Sequence, residues 1–249
     1  MASYSRQFRP RTSNSFGGQR SRRYSAPKRG NQKQYINPAK FVQQATMRAE
    51  TTYRPKFKFA DFEVASLLKR NVEAKGFVDP TAIQDQTIPL ALQGQDVIGI
   101  ANTGTGKTAA FAIPLLHRLL TNQGSKVLVM APTRELAQQI EQEFRSLGKE
   151  TGLNGAILIG GTPIGPQLRD LRHNPRVVIG TPGRIKDHLE RRSLDLQSFN
   201  IVVLDEVDRM LDMGFVNDIT LILSKLSEER QSLFFSATMD ARVERLIQQ

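Results

Sequence analysis

The 249-residue chain contains no cysteine. A disulfide scaffold, a zinc finger, an iron–sulfur centre and thiol catalysis are thereby excluded. No apolar run approaches the ~18–20 residues that a bilayer-spanning helix needs, and the amino terminus carries no signal-peptide core. A soluble, cytoplasmic protein with no membrane partner is expected. Histidine is scarce as well, and His117, His173 and His188 show no metal-ligand spacing relative to one another. Acids are nearly missing from the first 56 positions, where Glu50 alone stands against 13 Lys and Arg.

That last absence divides the chain. The whole sequence has a net charge of +11, but residues 1–56 hold +12 and residues 57–249, with 22 basic and 23 acidic groups, hold −1. Residues 1–35 are rich in Arg, Ser, Gly and Gln and have too few aliphatics to offset chain entropy, so a disordered basic extension is expected over 1–56. Its aromatics, Tyr4, Phe8, Phe16 and Tyr24, alternate with arginines. That mixture suits loose contact with a nucleic acid, guanidinium on phosphate and ring on base. A transit peptide has similar composition, but the apolar residues here are interrupted by Pro10, Gly17 and Pro27 and form no amphipathic helix. Tyr35–Ala45 is less polar and has the look of a short docking motif.

From residue 57 onward short apolar runs alternate with amphipathic stretches. The runs are Val97–Ile100, Val127–Met130, Ala156–Ile159, Val177–Ile179, Ile201–Leu204 and Leu233–Phe235. Helical patterns are expected at about 63–75, 80–92, 107–121, 134–150, 164–172, 183–192, 215–226 and 240–248. Near-continuous apolar strands between helices predict an α/β domain whose mostly parallel sheet is covered on both faces. Pro114 should kink its helix.

Ala101-Asn-Thr-Gly-Thr-Gly-Lys-Thr108 follows the first strand and opens a helix. Gly104 and Gly106 let successive amides face one anion, and the helix terminus adds its dipole. Lys107 would neutralise β- and γ-phosphates, and Thr108 would offer a hydroxyl to Mg²⁺. A glycine turn capping a helix would explain the glycines but not Lys-Thr at this spacing. The strand Ile201–Leu204 ends in Asp205, Glu206 and Asp208. Carboxylates at the carboxyl edge of such a sheet lie where ligands bind. Asp205 can hold Mg²⁺ through water, and Glu206 can orient and deprotonate an attacking water.

In this order the motifs resemble those of the first RecA-like domain of a DEAD-box RNA helicase, a three-layer P-loop fold, over about residues 57–249. Phe59, Gly76-Phe77 and Pro80-Thr81-Ala82-Ile83-Gln84 resemble the family's Q motif. The resemblance implies that Gln84 reads the adenine edge and that Phe77 stacks on the base with Phe59 behind it. Asn102, Thr103 and Thr105 join the nucleotide site with the loop glycines, Thr81 and Lys107. Pro132-Thr133-Arg134, Gly160-Gly161 and Thr181-Pro182-Gly183-Arg184 resemble the segments that line the family's RNA groove, with sugar–phosphate contact and no base readout. Ser236-Ala237-Thr238 resembles the coupling motif, whose hydroxyls would bond Asp208.

Departures are few. Val207 stands where alanine gives the family its name, Ala101 replaces the usual first glycine, and Asn102 stands where glutamine is common. The resemblance implies an ATP-dependent RNA helicase using ATP and Mg²⁺ on RNA without sequence preference. The chain stops eleven residues after Thr238, so the second RecA-like domain and its arginine finger are expected to lie in a longer protein. Such a finger contributes about 10³–10⁵ in rate, so little turnover is expected of this chain alone. The alternative is a non-catalytic module that binds RNA or a partner in response to nucleotide. Intact Lys107, Asp205 and Glu206 argue against it.

Overall fold

The computed structural model describes residues 53–248. The basic extension up to residue 52 and the Tyr35–Ala45 segment lie outside the described residues.

Six strands form one sheet: β1 (Val97–Ile100), β2 (Val127–Met130), β3 (Gly155–Leu158), β4 (Val177–Gly180), β5 (Ile201–Leu204) and β6 (Gln231–Ser236). The order is β1-β6-β5-β2-β4-β3, and every neighbouring pair is parallel. All six carboxyl ends therefore open onto the same edge of the sheet. Four of the expected strands agree closely with the observed bounds, and β3 begins one residue early.

The helices are α1 (Ser66–Ala74), α2 (Ala82–Leu92), α3 (Lys107–Thr121), α4 (Arg134–Leu147), α5 (Ile164–Arg172), α6 (Pro182–Glu190), α7 (Val207–Asp212), α8 (Val216–Leu223) and α9 (Ala241–Ile247). A 3₁₀ turn, Phe59–Asp61, precedes α1. Side chains alternate along a strand, so the interior strands feed two cores, whereas the edge strand β1 feeds one and leaves Ile98 and Ile100 exposed. Val127 and Val129 belong to the core shared with α1 to α4, whereas Leu128 and Met130 belong to the one packed with α6 to α9. All four are fully buried, which is why β2 shows no polar alternation in sequence. Pro114 lies inside α3, which continues through it to Thr121.

Candidate functional site

The loop after β1 is fixed at its start by a backbone bond, Ala101 N–H to the Ser236 carbonyl (2.9 Å). It then reverses at Gly104 (φ +84°) and Gly106 (φ +87°), both in the left-handed region that glycine tolerates best. Gly106 is the N-cap of α3, so the loop closes on the positive end of a 15-residue helix. Asn102, Thr103 and Gly104 are exposed, and Thr108 is half-buried in the first turn. The Thr105 hydroxyl donates to the Asn102 carbonyl (2.8 Å). Lys107, only 6% exposed, donates to the Ala101 carbonyl (3.1 Å) and lies 3.7 Å from Asp205 Oδ1.

Gln84 reaches the underside of this loop. Its Oε1 accepts from Thr81 N–H (2.9 Å) and its Nε2 donates to the Gly106 carbonyl (3.1 Å). A Cβ on Gly106 would fall 2.4 Å from that Nε2, so the second loop glycine is required by the glutamine as well as by its own backbone. The Thr81 hydroxyl donates to the Thr105 carbonyl (2.8 Å). Gln84 and Thr81 thus brace the loop, with one N–H and one lone pair of the Gln84 amide left for another partner. Phe77 is half-buried against Phe59 (ring centroids 5.2 Å apart), and Lys75 Nζ sits 5.8 Å from its centroid.

β5 delivers the acids. Asp205 and Glu206 are 2% and 7% exposed. Burial, opposed by Lys107 and assisted by Glu206, pushes the Asp205 carboxyl up to about 6. A buried carboxylate so poorly compensated fits a site that receives a cation, and Thr108 offers a hydroxyl one residue beyond Lys107. Glu206 is left-handed (φ +55°, ψ +54°), a conformation that costs a non-glycine residue of order 1 kcal/mol. That turn directs its carboxylate to the loop: Oε1 accepts from the Thr103 hydroxyl (2.9 Å) and Oε2 from Arg209 Nη1 (3.1 Å). Phosphate loop and candidate base are in direct contact.

Asp208 turns the other way, to the end of β6. Its Oδ2 accepts from Ala237 N–H (3.1 Å), Thr238 N–H (3.0 Å) and the Thr238 hydroxyl (3.1 Å), while its own N–H donates to Ser236 Oγ (3.4 Å). Burial pushes its pKa up, but these bonds and one from Arg209 N–H outweigh that, and the carboxyl is held below its ordinary value.

Of the remaining expected residues, Pro132, Thr133, Arg134, Thr181, Gly183 and Arg184 line one open groove of about 530 Å³, together with Gly160, Met213, Phe215 and the acids Glu135 and Asp187; Gly161 lies beside it, against Arg134. Thr133 caps α4, its hydroxyl accepting from Leu136 N–H (3.2 Å). Gly161 is left-handed (φ +70°), and a Cβ there would fall 1.9 Å from Arg134 Nη1. The Arg134 guanidinium therefore lies on the glycine backbone, joining two segments that the sequence shows only separately. Gly161→Ala should displace it while sparing the phosphate loop. Single-stranded RNA binding is expected to weaken about tenfold, with ADP affinity unchanged, as read by anisotropy and calorimetry on the same preparation.

Sequence reasoning missed two features. Asp85, beside Gln84, is 3% exposed and holds the start of the described chain. It accepts from the Tyr53 hydroxyl (2.5 Å), Lys56 N–H (2.9 Å) and Phe57 N–H (3.0 Å). No local pattern signals a pairing across so many residues. The second is a buried pair, Gln167 and His188, bonded to the turn that follows β3. Among the described residues no group of three or more His, Asp or Glu is placed to hold a metal, and no helix is long and apolar enough to cross a membrane.

A wholly parallel sheet with a phosphate loop after its edge strand, carboxylates at the end of β5 and a polar groove on the same edge defines a RecA-like, P-loop nucleotide-binding domain. The chain belongs to the DEAD/DEAH box helicase family, whose model matches residues 81–246. It is 48% identical over 189 residues to the DEAD-box ATP-dependent RNA helicase CshA of Bacillus licheniformis, a match covering 76% of this chain and 39% of that protein. It is 45% identical over 190 residues to the ATP-dependent RNA helicase CshA of Listeria monocytogenes, covering 76% and 36%. The chain thus spans well under half the length of these curated relatives. Among solved structures it is similar to a DEAD box protein from Methanococcus jannaschii (39% identity, TM-score 0.74, covering 77% of this chain and 53% of that one). A hypothetical ATP-dependent RNA helicase from Sulfolobus tokodaii is similar too (39%, TM-score 0.68, covering 73% and 53%).

Proposed function

We propose that this chain is the ATP-binding half of a cytoplasmic ATP-dependent RNA helicase. Its basic extension covers residues 1–56, residues 57–249 form the first RecA-like domain, and a second such domain belongs to the working enzyme. The observation that carries the reading is the contact between Thr103 and Glu206, together with the Lys107–Asp205 pair. The anion-binding loop and two buried carboxylates meet at one point of the sheet edge.

The loop amides and Lys107 would bind the β- and γ-phosphates, Lys107 exchanging the Ala101 carbonyl for a phosphate oxygen. Thr108 and, through water, Asp205 would hold Mg²⁺, which neutralises phosphate charge. Glu206 would leave the Thr103 hydroxyl to orient the attacking water and accept its proton. Gln84 and Phe77, with the Q-motif pattern around them, would favour adenine. The amide's spare N–H and lone pair match the N7 and N6–H₂ of that base. Arg134, Gly161, Thr181 and Arg184 would grip the RNA backbone without reading bases. Asp208, bonded to the Ser236–Thr238 segment, would report nucleotide state to that groove.

Nucleotide choice tests the reading. Calorimetric titration with Mg²⁺ present should show weak binding of ADP and still weaker binding of GDP. Equal affinities, or a preference for GDP, would remove the adenine assignment.

A further inference from the structure

Both groove arginines rest on one turn. Arg134 lies on Gly161, and Arg184 donates from both Nη atoms to the Thr162 carbonyl (3.4 Å each). Beneath that turn is a polar network that the proposed chemistry does not use. Gln167 of α5 is 5% exposed and His188 of α6 is fully buried.

The directions of its bonds can be derived. Gln167 Nε2 lies 3.1 Å from the Ile159 carbonyl, which can only accept, and 2.8 Å from Thr162 Oγ1. Both amide hydrogens are thus committed to the turn, and Oε1 faces His188 Nε2 at 3.2 Å. His188 Nε2 must therefore carry a proton. Burial, the larger influence, and the nearby Arg184 hold the imidazole pKa below its ordinary value despite Asp187, so the ring is neutral and Nδ1 is an acceptor facing the Ser193 hydroxyl (2.8 Å), whose one hydrogen it shares with the His188 carbonyl (3.1 Å). The Thr162 hydroxyl completes the chain by donating to the Ile159 carbonyl (3.0 Å). One directed chain of hydrogen bonds runs from the end of α6, through α5, to the turn that seats both arginines.

We propose that Gln167 and His188 are positioning residues for the RNA groove. By tying the Ile159–Thr162 turn to α6 they set the spacing of Arg134 and Arg184 against successive phosphates of one strand. Apolar side chains of the same volume would fill the space but permit the turn to slide, whereas a fully satisfied buried network admits one arrangement. The proposal rests on the groove reading above, and its test separates the two.

Gln167→Met keeps the volume and removes both N–H donors. Single-stranded RNA affinity of the full 249-residue chain is measured by anisotropy at about 0.15 M salt, where the basic extension is partly screened, and ADP affinity by calorimetry. RNA binding should weaken about three- to tenfold with ADP affinity unchanged. Thr162→Val, at an exposed position, should lose less, and the double variant should bind no more weakly than Gln167→Met alone. Arg134→Ala and Arg184→Ala serve as controls. If the controls weaken RNA binding and Gln167→Met does not, the positioning role is wrong and the groove stands. If neither control has an effect, the groove reading fails and takes this proposal with it. RNA and ADP affinities falling together, or additive losses in the double variant, would show general loosening and overturn it. Should Gln167→Met fail to fold, unchanged RNA affinity in Thr162→Val is sufficient to overturn it.

Discussion

Glu206→Gln, in this chain joined to its second RecA-like domain, is expected to abolish RNA-stimulated ATP turnover while ATP binding persists. The amide has the shape of the carboxylate and can still accept from the Thr103 hydroxyl that Glu206 contacts at 2.9 Å. What it lacks is a basic oxygen for the proton of the attacking water. General-base catalysis contributes about 10²–10⁴ in rate, so steady-state phosphate release should fall to the background of a chain without RNA. Lys107→Ala is the informative comparison, because it removes a charge that the phosphates meet on binding. There the nucleotide affinity itself should fall, with turnover following. Glu206→Gln with near wild-type turnover would show that another group activates the water.

Removing residues 1–52 should cost the chain most of its affinity for single-stranded RNA at low salt. Residues 1–56 carry +12 and the rest −1, so long-range attraction to a polyanion must originate in the extension. The cut is placed at 52 because Tyr53, Lys56 and Phe57 all bond to Asp85 on α2. A deletion to 56 would strip that buried carboxylate of its Tyr53 and Lys56 donors and confuse charge with stability. Each phosphate contact contributes about 0.7 to the log–log salt slope on a single strand, so the slope should flatten along with the affinity. Two unrelated RNAs should lose equally, since arginines and rings sense charge and stacking rather than base edges. Superimposable curves for the two lengths would mean that the extension serves a protein partner or a targeting step.

The parts of the fold legible in sequence are those in which side chains alone define the element. β2 and β5 agree with their apolar runs because they are buried on both faces; β1, an edge strand, agrees too, although its Ile98 and Ile100 are half exposed. β3 starts one residue before its apolar run: Gly155 pairs with Val177 through backbone, and a glycine adds nothing to such a run. β6 starts two residues earlier than its apolar run because Gln231, 4% exposed, spends its amide on the Ala91 and Gln95 carbonyls (3.0 and 2.8 Å). A buried, satisfied polar residue resembles a surface one in sequence. The six-residue α7, stopped before Gly214 (φ +85°), is too short for a helical period to show. Among site residues, the phosphate loop and the acids were legible because their chemistry demands fixed spacings after a strand. The bracing of the loop by Gln84, the seat of Arg134 on Gly161 and the Gln167–His188 network were not. Each depends on distances between segments that only the folded sheet edge brings together.

The most direct measurement is strand separation. This chain, joined to its second RecA-like domain, is mixed with a short RNA duplex bearing a single-stranded extension, with ATP and Mg²⁺, and release of the labelled strand is followed by gel. The account predicts release that requires ATP, fails with GTP, and is lost in Glu206→Gln. Nucleotide-independent release, or tight RNA and ATP binding with no separation and no RNA-stimulated hydrolysis, would contradict it and favour a non-catalytic, nucleotide-responsive module.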